Sequence, residues 1–72
     1  MKRKFFNCAK RHSVVIEDYL SFRSDMGCQA FDLNVIMPNG NKTSFQNEYF
    51  VGEKDGGIRM LNLFESFLKS NL

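Results

Sequence analysis

Cys8, His12 and Cys28 stand in the pattern C-x3-H-x15-C, and Asp25 or Asp32 could add a fourth donor. Thiolate and imidazole are the ligands zinc prefers. Structural zinc sites, however, take close-spaced ligand pairs from both ends of their motif, and here the second pair is missing. The spacing predicts no metal, and the two thiols are expected as small buried apolar groups. His12 has Ser13 beside it, but neighbours on a strand point to opposite faces, and a nucleophile and its base usually come from separate parts of a fold. Glu17-Asp18 and the pair Glu53/Asp55 need no acid–base role. Gly56-Gly57 ahead of a helix could offer N–H groups to an anion, which Glu53 and Asp55 would repel. No Walker, EF-hand, nucleophile-elbow or zincin spacing occurs. The chain is therefore read as non-enzymatic, with no catalytic residue, no cofactor and no metal.

Seventy-two residues allow one domain, taken as 1–72. The chain is 43% hydrophobic and 25% charged, which selects a globular class over a disordered one. The apolar run after Lys2-Arg3-Lys4 is only Phe5-Phe6, too short for a signal peptide or a membrane span. A cytoplasmic location without membrane contact is expected. Reduced thiols follow from that compartment, with a Cys8–Cys28 disulfide as the alternative if the chain is exported. The opening Met and closing helix are read as a self-contained gene product.

The elements that must position any surface follow from turn signals and periodicity. Met37-Pro38-Asn39-Gly40 suits a type I turn with a G1 bulge. The expected hairpin, about 29–37 with 42–51, pairs 35 with 43, 33 with 45 and 31 with 47. It gathers Phe31, Leu33, Val35 and Met37 on one face with Phe45, Tyr49 and Val51. Gly52 to Gly57 is a loop by composition. Ile58, Leu61, Phe64, Leu68 and Leu72 then recur at helical spacing, widened by Met60, Leu63 and Phe67. That predicts an amphipathic helix over about 57–70.

Residues 13–26 admit two readings. The run Val14-Val15-Ile16 favours a strand, with Val14, Ile16, Leu20 and Phe22 inward and Asp18 as an exception. Leu20 would then face Phe31, Ile16 would face Val35, and Ser24-Asp25-Met26-Gly27 would turn the chain. In the helical alternative Ser13 caps the N-terminus and Gly27 the C-terminus. Lys4 to Ala9 is read as a short first strand. The expected fold class is α+β: a small antiparallel sheet of three to four strands packed by the C-terminal helix.

Two surfaces stand out. Residues 1–16 carry Lys2, Arg3, Lys4, Lys10 and Arg11 and no acid, in a chain whose net charge is only +2. Such a segment can neutralise phosphates, and Phe5 or Phe6 could stack on unpaired bases. Eight Phe and two Tyr also exceed what one thin core hides. Phe50, Tyr49 and Tyr19 are the expected anchors of a protein interface, with Ile36 on the same outer face as Phe50. Lys4, Lys10 and Arg11 are expected to steer an anionic partner. Together these predict a small regulator or inhibitor of a larger protein or nucleoprotein complex, such as a phage- or plasmid-type inhibitor of host or defence machinery. The alternative is a nucleic-acid-binding regulator using the basic segment. A homodimer through an edge strand fits either.

Overall fold

A computed structural model describes all residues from Met1 to Leu72. The order is α1 (Lys2–Arg11), β1 (Val15–Arg23), β2 (Cys28–Ile36), β3 (Lys42–Phe50) and α2 (Gly56–Ser70). The strands form one antiparallel sheet in the order β1-β2-β3. Both helices lie on one face of it, α1 over β1 and α2 over β3, in contact with each other.

The central hairpin takes the expected register, with Leu33 opposite Phe45 and Val35 opposite Thr43. Its loop closes through Gly40 N–H to Met37 O at 2.8 Å, and Gly40 has φ +87°. Glycine meets that left-handed position without steric cost. α2 also forms as its stripe predicts, and Met60, Phe64 and Leu68 are fully buried. Ile58 and Leu72, at the ends of the stripe, remain exposed.

Residues 4–9 are not a strand. They belong to α1, which buries Phe5, Cys8 and Ala9. These positions, i, i+3 and i+4, form one helical face. Lys2, Arg3 and Lys4 crowd the N-terminal end, where the helix dipole disfavours cations, so burial of that face is what holds the helix. Phe5 centres the core, with ring centroids 5.1 Å from both Phe31 and Phe64. Ser13 is not an N-cap. It lies just past the end of α1 at φ +58°. Its N–H bonds Lys10 O at 3.1 Å, and Val14 N–H bonds Ala9 O at 2.9 Å. This is a Schellman closure, with buried Val14 as its apolar partner.

Residues 15–23 are a strand, and the Ser24–Gly27 turn is present, closed by Gly27 N–H to Ser24 O at 3.1 Å. One irregularity changes its faces. Ile16 sits opposite Val35, as expected, but Asp18 sits opposite Asn34, so Glu17 is an extra residue in a β-bulge. Beyond the bulge the alternation inverts. Asp18 turns away from the core and accepts a hydrogen bond from Asn34 Nδ2 at 3.1 Å. Leu20 and Phe22 turn outward with it and are exposed, and Leu20 faces Asp32 in place of Phe31. Tyr19 turns inward. Burying Tyr19 among aromatics and leaving the Asp18 carboxylate in water avoids the cost of an unpaired buried charge.

Candidate functional site

The sheet face away from the helices is uncovered. Across it run the rows Asp18–Asn34–Ser44, Leu20–Asp32–Gln46 and Phe22–Ala30–Glu48, with Phe50 opposite Cys28 at the end. The first row is hydrogen-bonded throughout, Ser44 Oγ donating to Asn34 Oδ1 at 2.6 Å. Gln46 Nε2 donates to Asp32 Oδ1 at 3.4 Å. At the other end Phe50 is 64% exposed and Phe22 47%. An open hollow of about 460 Å³ lies between Phe22 and Glu48, floored by Ala30 and bordered by Asp32 and Gln46. Carboxylates at Asp32 and Glu48 thus border a small apolar end, with Asp18 at the far end of the same face. Ile36 is on this face too, beside Lys42 and Val15.

Of the three expected anchors, Phe50 lies on this open face. The other two do not. Tyr19 is half-buried on the helix side, 5.9 Å from the Phe5 ring and 6.0 Å from Phe6. Burial pushes its phenol pKa up, against a smaller lowering from Ser21. Tyr49 is also on the helix side, stacked on Phe31 at 6.1 Å, with its hydroxyl 3.6 Å from Met1 Sδ. Leu20 and Phe22 take the place expected for Tyr19. The bulge that exchanges them has no sequence signal beyond the misplaced Asp18.

The basic segment is a helix whose solvent side carries Lys2, Arg3, Lys4, Lys10 and Arg11 together with Phe6. Two of these cations are engaged within the chain. Lys2 Nζ lies 5.7 Å from the Tyr19 ring centroid, and Arg11 Nη2 is 3.4 Å from Glu65 Oε2. Arg3, Lys4 and Lys10 make no ion pair.

Where α1 crosses α2, three groups converge. Glu65 Oε2 is 3.0 Å from His12 Nε2 and 3.9 Å from Cys8 Sγ, in addition to its contact with Arg11. Hydrogen bonds from His12 and then Arg11 hold the Glu65 carboxyl below its ordinary range. Burial, with the nearby Glu65 charge, raises the Cys8 thiol, while Arg11 and Lys69 oppose the rise. Beside the cluster is a hollow of about 230 Å³ bordered by Lys4, Asn7, Arg11 and Asn62. Cys28, the third member of the sequence pattern, is on the opposite face of the sheet, and both thiols are free. Glu65 was not foreseen, because a strand would hold residues 8 and 12 roughly 13 Å apart. A helix stacks them one turn apart, facing α2.

No helix is long and apolar enough to cross a membrane. No protein-family model matches the chain, and no curated protein or solved structure matches it either.

Proposed function

We propose that the chain is a non-enzymatic binding protein that regulates or inhibits a larger complex by seating the uncovered sheet face on a protein partner. The observation that carries this reading is the asymmetry of the sheet: one face is sealed by two helices, the other ends in solvent-exposed Leu20, Phe22 and Phe50. Exposed large apolar side chains on an uncovered face, one of them Phe22 at the edge of a shallow hollow, are what an interface anchors on. Asp32 and Glu48 beside it favour an apolar knob flanked by Lys or Arg. The anchors are Phe22, Leu20 and Phe50.

The test is affinity capture with three immobilised proteins: wild type, Phe22→Ser/Phe50→Ser, and Arg3→Glu/Lys10→Glu. Circular dichroism verifies that each is folded. One protein retained by wild type and by the charge variant, and lost by the aromatic variant, supports the reading. Retention by the aromatic variant overturns it. So does a wild-type dimer by light scattering that the aromatic variant dissolves, since the face would then serve a second copy.

The acid-free outer side of α1 favours a second reading, nucleic-acid binding through Arg3, Lys4 and Lys10. It requires oligonucleotide binding that weakens steeply with salt and disappears in Arg3→Glu/Lys10→Glu.

A further inference from the structure

We propose that Cys8, His12 and Glu65 form a site for a zinc-class divalent ion, with sulfur, nitrogen and oxygen at three corners of a tetrahedron and water at the fourth. The three donor atoms lie within 4.8 Å of one another. In a tetrahedral zinc site the donors stand roughly 3.3–3.6 Å apart, as Zn–S of about 2.3 Å and Zn–N or Zn–O of about 2.0 Å require. Two of the separations, 3.0 Å for His12 Nε2 to Glu65 Oε2 and 3.9 Å for Cys8 Sγ to Glu65 Oε2, lie either side of that range, and the Cys8–His12 pair stands within 4.8 Å and must close on the ion. Cys8 stands on α1 and Glu65 on α2, while His12 caps the end of α1, so side-chain rotations with a small adjustment at that helix end bring the donors into place. Cys8 on α1 and His12 at its C-cap are one turn apart, and Glu65 reaches them from α2.

The ligand chemistry selects the ion. A thiolate and an imidazole with a carboxylate suit Zn²⁺ or Co²⁺ and disfavour Mg²⁺ and Ca²⁺, which take oxygen ligands. Two anionic ligands and a neutral imidazole balance a charge of +2. On coordination the Cys8 thiol loses its proton to solvent, and a sulfur–metal bond replaces the S–H bond. Arg11, now on Glu65 Oε2, has a side chain 62% exposed and can swing into water or move to the other carboxylate oxygen. The fourth position opens toward the hollow bordered by Lys4, Asn7 and Asn62. The ion would clamp α1 to α2, a junction otherwise held by apolar packing and one shared carboxylate.

Co²⁺ is the probe, added to reduced, untagged full chain. The expected result is one equivalent bound, a thiolate-to-cobalt charge-transfer band in the near ultraviolet, and intense tetrahedral bands in the visible. Zn²⁺ should displace the signal, and Mg²⁺ should not. Cys8→Ser should abolish the charge-transfer band, and Cys28→Ala should keep it. His12→Ala and Glu65→Gln should each weaken Co²⁺ binding at least about tenfold, the lower limit seen when even an outer-shell partner is removed. Both are partly exposed positions that the fold tolerates, so they decide the matter if Cys8→Ser does not fold. Wild type without a charge-transfer band in excess Co²⁺ overturns the site. So does a band that survives Cys8→Ser, or unchanged affinity in both His12→Ala and Glu65→Gln.

Discussion

Replacing Gly56 with Ala should destabilise the protein, although a helix ordinarily gains from that exchange. Gly56 is the first residue of α2, and its φ is not left-handed, so its backbone conformation does not require glycine. What requires it is Tyr49. A Cβ built at Gly56 would stand 3.0 Å from ring atoms Cε2 and Cγ of Tyr49 and nearer still to Cδ2. Carbon atoms pack best at about 3.5–4.0 Å, so the ring must retreat by roughly 1 Å. It is not free to do so without cost, because it is stacked on Phe31. Overpacking of this kind costs about 1–3 kcal/mol. The conformational gain of Ala over Gly is about 0.5–1 kcal/mol. The net loss is then about 0–2.5 kcal/mol, centred near 1, and each kcal/mol lowers Tm by about 4–8 °C in a domain of this size. Gly57 provides the matched control. A Cβ there meets Met1 Sδ at 3.4 Å, the end of a flexible side chain, so Gly57→Ala should gain about 0.5 kcal/mol. Urea unfolding followed by circular dichroism, with a common m value, measures both. Adding Tyr49→Leu should remove most of the penalty at Gly56. A Gly56→Ala midpoint at or above wild type, or the same sign at both glycines, refutes the steric reasoning.

Three further outcomes follow from the geometry. Ser13→Gly should raise stability by about 1 kcal/mol, since the left-handed φ of +58° costs a side-chain-bearing residue and not glycine; a lower melting temperature would contradict the Schellman assignment. The Glu65 carboxyl is depressed in the fold, so its contribution is present above the unfolded carboxylate range and is lost as pH falls through the folded value. Wild type should therefore exceed Glu65→Gln in urea midpoint at neutral pH and converge with it in acid, and a gap independent of pH would be inconsistent with the ion pairing. Deleting Glu17 should leave the fold and register intact at a cost of about 1 kcal/mol or less, because it removes only the extra bulge residue and an exposed contact with Lys42. Loss of cooperative unfolding in that deletion would refute it.

The hairpin and α2 were legible because their signals are local. Pro38-Asn39-Gly40 sets the turn, parity then fixes the partners of Phe31, Leu33 and Val35, and the helical stripe stands on its own. α1 was not legible as a helix, since six residues from Lys4 to Ala9 fit a two-residue period nearly as well as 3.6, and Lys2 to Lys4 oppose the dipole. Its helicity depends on Phe5 meeting Phe31 and Phe64, residues distant in sequence. The same limit hid Glu65, which joins Cys8 and His12 only through the docking of two helices at opposite ends of the chain. Phe50 was placed correctly because nothing disturbs the alternation of β3. Tyr19 was misplaced because one unpaired residue upstream reverses the alternation of β1.

That single residue has a wider effect on the molecule. Ahead of Glu17, Ile16 points to the interior; after it, Tyr19 takes the inward place and Leu20 and Phe22 point outdoors. A segment with one binary pattern thereby serves two customers, the core at its beginning and the outer world at its end. Were Glu17 paired into the ladder and not bulged out of it, strict alternation from Ile16 would turn Leu20 and Phe22 inward and Tyr19 outward, silencing the exposed patch with the composition untouched.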